Sequence, residues 1–116
     1  NLNKYRILNR LFNYQARKIM KPYRQGDVIL VPVKQAEGEK LMHLTLRFGE
    51  VTGHKHCISE GDAQLYAENT DLYLSIFSKT AALVHEEHGS ISVPQGNWKV
   101  LIQREYEPEG WRYIAD

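Results

Sequence analysis

The spacing of hydrophobic positions changes once along this chain. From Leu2 to Met20 apolar residues recur every three or four positions, at Tyr5, Leu8, Phe12, Ala16 and Ile19 with Leu11 beside them. Basic residues occupy most of the remaining surface, and this 3.6-residue period predicts one amphipathic helix. Pro22 lacks the amide that a helix would need and Gly26 frees the backbone to turn, so the helix should stop between them. After Gly26 the period falls to two. Val28 to Val33 is an almost continuous β-branched run. Met42, Leu44, Leu46 and Phe48 alternate with Leu41, His43, Thr45 and Arg47, and Leu72, Leu74 and Ile76 with Tyr73, Ser75 and Phe77. Ala81, Leu83 and His85 share one parity, and Trp98, Val100 and Ile102 share another inward series after a turn expected at Pro94-Gln95-Gly96.

Many short strands separated by glycine predict a mainly β body, a small β-barrel or β-sandwich, because such architectures hide strand edges. The division is therefore a basic amphipathic helical arm over residues 1–21 and a single β-rich domain over residues 22–116. A chain of 116 residues suits one such domain. No internal repeat or low-complexity tract interrupts it. No apolar run approaches the roughly 20 residues that cross a bilayer, and the N-terminal region lacks the apolar core of a secretory signal, which predicts a cytoplasmic protein. Cys57 is the only cysteine, so an internal disulfide and a cysteine-based zinc ribbon are excluded.

The formal net charge of +1 conceals an asymmetry. Residues 1–26 carry Lys4, Arg6, Arg10, Arg17, Lys18, Lys21 and Arg24 with no acid, a charge of +7, and the remainder carries −6. A basic arm on an acidic body predicts contact with nucleic acid, a membrane surface or an acidic protein surface, through Lys4, Arg6, Arg10, Arg17, Lys18 and Lys21, or docking on its own body.

The chemistry lies in histidine. In an extended segment His54, His56 and Ile58 point one way while Lys55 and Cys57 point the other, so two imidazoles share a face. Imidazole nitrogen suits zinc, nickel, copper or iron, and Glu60 nearby would add an oxygen donor. The same pair is equally suited to general acid–base work, since histidine titrates near neutrality. A second cluster, His85-Glu86-Glu87-His88, is followed by Gly89. Its histidines are three apart, not the four of a zincin helix, which excludes that metalloprotease class. On a strand His85 would share the inward parity of Leu83, with His88 and the glutamates at the rim. The sequence contains no phosphate-binding glycine loop, dinucleotide fingerprint or nucleophile elbow.

The spacing from Gly49 to Gln103 resembles the cupin superfamily. That family's first motif, G-x5-H-x-H-x3,4-E-x6-G, is approached by Gly49, His54, His56 and Glu60, with the first gap one residue short and Ala67 in place of the last glycine. Its second motif, G-x5-P-x-G-x2-H-x3-N, is approached by Gly89, Pro94 and Gly96, with Lys99 where the histidine ligand belongs and Gln103 in place of asparagine. The resemblance implies a small β-barrel in which His54, His56 and Glu60 hold a metal ion, and His85 or His88 would have to supply the missing ligand. The run Gly-Glu-Val-Thr-Gly-His-x-His is also similar to one in small bacterial and phage proteins.

Three readings follow. In the first, the body is a cytoplasmic metal-binding barrel drawing on His54, His56, Glu60, His85 and His88, with zinc, nickel, iron or manganese as the ion and an open position for water or a small-molecule ligand. In the second, it is a nucleic-acid-associated module or metal-independent nuclease, with His54 and His85 as acid and base and Lys99 beside the phosphate. In the third, it is a structural or regulatory protein with a basic anchoring helix. A homo-oligomer is compatible with each.

Overall fold

A computed structural model describes residues 21–49 and 52–103. The expected helix, the basic residues Lys4 to Lys18 and the C-terminal residues Arg104, Tyr106 and Trp111 lie outside them. All eight elements are strands: β1 (Tyr23–Gln25), β2 (Val28–Val33), β3 (Glu39–Lys40), β4 (Thr45–Phe48), β5 (Lys55–Glu60), β6 (Ala63–Glu68), β7 (Asp71–Val84) and β8 (Ile91–Ile102). No helix among the described residues is long and apolar enough to cross a membrane.

The strands form one antiparallel sheet in the order β1-β2-β8-β7-β5-β4, with β6 continuing the line of β5 along β7 and β3 pairing β6. This departs from the expected barrel or sandwich. The sheet is open, with β1 at one edge and β4 at the other, and the described residues form no second sheet.

What replaces closure is a fold in the sheet itself. Opposite Gly96, strand β7 carries extra residues between Ile76 and Thr80, a bulge that bends the ladder. The neighbouring strand bends at the same level, where Gly61 (φ +103°) separates β5 from β6 and the Asp62 carbonyl accepts from the Phe77 amide at 2.7 Å. A Cβ at Gly61 would stand 2.8 Å from Ala81 Cα, so glycine is required for this close approach. Pro94-Gln95-Gly96, expected as a turn, runs inside β8 at this bend, and Gln95 donates a side-chain hydrogen bond to the Phe77 carbonyl.

The two arms of the bent sheet share one core. Val28, Leu30, Leu65, Leu74, Trp98 and Val100 come from one arm, and Leu46, Ile58, Ala81, Leu83 and Val93 from the other. Each such aliphatic side chain contributes roughly 1.5–3 kcal/mol when fully buried. Trp98 is completely buried, donates to the Pro94 carbonyl at 3.2 Å and meets the Tyr23 ring edge-on at 5.4 Å. The inward parity expected for Leu74, Ile76, Ala81, Leu83, Trp98 and Val100 holds. That of Met42 and Phe48 does not: a register shift between Thr45 and Arg47 breaks the alternation, leaving Leu46 buried and Phe48 exposed.

The free ends of the arms meet opposite the bend. Gln25 and Val28 pair across a two-residue turn of Gly26 and Asp27, with Gly26 at φ +59°, a conformation suited to glycine at the tip of a tight hairpin. This turn reaches β5 and the segment joining β7 to β8, where the histidines lie.

Candidate functional site: four histidines where the sheet ends meet

The structure brings both histidine clusters together. His56 is on β5, inward like Ile58, and is 4% exposed. His54 precedes that strand, and His85 and His88 follow β7. The His85 ring centroid lies 4.2 Å from His56, 4.6 Å from His88 and 5.7 Å from His54. His56 and His88 are 5.9 Å apart. His85 is therefore central, and His54 meets the group only through it. The fifth histidine, His43, is elsewhere, its Nδ1 accepting from the Thr45 amide at 3.1 Å.

The site has a polar floor absent from the sequence reading. Gln25, 3% exposed, donates from Nε2 to the carbonyls of Leu83 at 2.9 Å and Gly89 at 3.0 Å. Its Oε1 must therefore face His56 Nδ1, 2.9 Å away, as an acceptor. Nδ1 accordingly carries a proton, and in the neutral ring the lone pair is on Nε2. That atom lies 3.4 Å from Asp27 Oδ1. Asp27 Oδ2 in turn meets Arg47 Nε at 3.0 Å, so one carboxylate links the β1–β2 turn to both β5 and edge strand β4. Burial, reinforced by the nearby His85, holds the His56 pKa below 6.5 against the opposing pull of Asp27.

The other rings have defined partners too. His85 Nδ1 accepts the Glu87 amide at 3.0 Å, which leaves the proton of the neutral ring on Nε2. His54 Nδ1 meets Glu87 Oε1 at 3.1 Å. Glu86 Oε1 accepts the Lys55 amide at 2.9 Å, and this bond, with the Glu86 amide and the adjacent His54 and His85, lowers the Glu86 pKa. His88 makes no hydrogen bond among the described residues; it packs on Gly26, where a Cβ would stand 2.6 Å from its Nε2. The turn glycine thus makes room for an imidazole.

Two expected members are placed elsewhere. Glu60 is at the far end of β5, opposite Ala82, exposed, and lines a shallow cavity of about 410 Å³ with Ser90 and Ser92. Lys99 pairs with Asp71 at 3.7 Å and lies opposite Tyr73 on the other arm, so it is not beside the histidines. Cys57 faces away from His56, between Thr45 and Val84 in the ladder. Among the described residues no group of three or more His, Cys, Asp or Glu side chains is arranged to hold a metal ion.

Asp27 and Gln25 were hidden because their contribution depends on the return of the first hairpin over the last. The only sequence signal was Gln-Gly-Asp itself, a two-residue turn motif that presents its aspartate at a tip.

Residues 24–103 match the model of a protein family described as a domain of unknown function, DUF8820. No curated protein and no solved structure matches the chain.

Proposed function

We propose, for this chain that belongs to the DUF8820 family, that the bent β-sheet domain binds a divalent transition-metal ion at its histidine cluster. The observation that carries this reading is the meeting of His54 and His56 with His85 and His88, from segments about thirty residues apart, at the junction of the sheet's free ends. Imidazoles crowded without metal repel one another when charged, whereas a metal ion turns the same crowding into affinity. The buried amide of Gln25 adds support, because a histidine that ligates through Nε2 normally gives its other N–H to an oxygen acceptor. An open coordination position would hold water or a small-molecule ligand, the chemistry being that of a Lewis acid.

The test is metal uptake by protein purified without an affinity tag and reconstituted with zinc, nickel, iron(II) or manganese(II). Near-stoichiometric retention after desalting, lost in a folded His56→Ala/His88→Ala variant, is the expected result. Failure to retain any of the four ions would remove the proposal.

A further inference from the structure

The bent sheet has a second apolar face, on the side of the β1-β2-β6 arm turned away from the core. Val28, Leu30, Leu72, Leu74, Trp98 and Val100 point into the core, so the residues between them, Ile29, Tyr73 and Lys99, point outwards, and Leu101 with them. The register sets Ile29 opposite Leu101, and places Val31, Lys99, Tyr73 and Tyr66 in one row across β2, β8, β7 and β6. An antiparallel sheet with one face in water normally carries polar residues on that face. Here the outward residues are mostly apolar or aromatic. Ile29 and Tyr73 are only 5% and 8% exposed, although neither belongs to the core cluster.

We propose that this outward face is the docking surface for residues 2–20 of the same chain, laid across the strands as an amphipathic helix.

Attachment, pattern and length select this occupant. Only Lys21 and Pro22 separate Met20 from β1, the edge strand of the same arm, and Arg24 of that strand stands opposite Ile29 on the outward side. Tyr5, Leu8, Phe12, Ala16 and Ile19 fall on one side of a helix and supply the apolar cover that the face calls for. From Tyr5 to Ile19 a helix rises about 21 Å at 1.5 Å per residue. The adjacent strands β1, β2, β8, β7 and β6 span about 19 Å at the usual interstrand spacing. Stripe and face therefore match in extent as well as in character.

Polar groups on the face do not oppose such a cover. Ser75 donates to Asn97 Oδ1 at 2.7 Å, and Lys99 meets Asp71 at 3.7 Å, so an apolar helix strands neither pair. On the helix, Arg6, Arg10 and Arg17 lie away from the stripe and stay in water. Residues 104–116 are a poorer occupant, because Pro108 and Gly110 interrupt them and Glu105, Glu107 and Glu109 add charge.

The test uses the full chain with a nitroxide attached at Asn13→Cys in a Cys57→Ser background, and NMR of the backbone amides. Asn13 lies beside the apolar stripe and not in it. The amides of Ile29, Val31, Tyr73 and Leu101 should lose more than about half of their intensity. Those of Ala82 and Ser92, which point outwards on the other arm, should keep theirs. Adding Leu8→Asp/Phe12→Asp to the labelled chain should restore the lost intensity with the β-sheet spectrum retained. Labelled protein without isotope, mixed with unlabelled ¹⁵N protein, should cause no loss. Full intensity at all four amides in the labelled chain would overturn the inference, as would a loss that persists in the double variant. An equal loss in the mixture would also overturn it, by making the occupant a second copy of the chain.

Discussion

Gln25 and His56, thirty-one positions apart, are joined by a 2.9 Å hydrogen bond between two buried side chains, and the same glutamine amide donates to the Leu83 and Gly89 carbonyls. One side chain thus ties β1 to β5, to the end of β7 and to the turn before β8. Gln25→Leu would strand two carbonyls and one imidazole N–H. Each buried group left without a partner costs about 1–3 kcal/mol, partly relieved by water at this exposed end. Urea denaturation should show a loss of about 2–4 kcal/mol. A loss below about 0.5 kcal/mol would mean that the glutamine does not organise the junction.

The buried His56 implies a direction for stability against pH. Its folded pKa lies below the ordinary 6.5, chiefly through burial. Between those two values the unfolded chain takes up a proton that the folded chain refuses, so stability is fully present above about 6.5 and falls as pH is lowered towards the folded pKa. With chelator present, the urea midpoint should therefore decline from pH 7 to 5.5, less steeply in His56→Gln. A midpoint that rises over this interval would show that the pull of Asp27 outweighs burial.

Gly26 combines two requirements, a left-handed φ of +59° and space for the His88 ring. Alanine there costs roughly 1–2 kcal/mol in backbone strain and pushes His88 aside. Gly26→Ala should lower the thermal midpoint and weaken zinc binding together. Gly53→Ala is the control: its φ is also positive, at +76°, but nothing lies within 4 Å, so it should affect stability alone.

An ion that binds only the folded chain stabilises it by about 2.7 kcal/mol at a free concentration one hundred times Kd. For a domain of this size the thermal midpoint should rise by about 10 °C on adding zinc. EDTA should reverse the rise, and His56→Ala should not show it. An equal rise in that variant would place the ion elsewhere.

Much of the local structure was readable in the sequence, and the long-range part was not. The β-branched run Val28–Val33 is β2 residue for residue, and the parity that placed His56 with Ile58 was correct because both stand in β5 and are buried. The expected turn at Pro94-Gln95-Gly96 failed because proline and glycine also serve a bend within a long strand when the neighbour carries a bulge. Glu60 followed His56 at a plausible interval, but an extended strand rises about 3.3 Å per residue and carries it away from the imidazoles. Asp27 is nearly thirty residues before His56 and reaches it only because the sheet folds its first hairpin over its last turn.

The central claim is that the histidine cluster binds a metal ion, and the ring ¹⁵N spectrum of the histidines, with and without one equivalent of zinc, tests it most directly. Before zinc, at pH 7.5, His56 should be protonated at Nδ1 and His85 at Nε2. With zinc, the Nε2 resonance of His56 and a ring nitrogen of at least one of His54, His85 and His88 should move to metal-bound positions. Unchanged resonances for all four histidines after adding zinc would contradict the account.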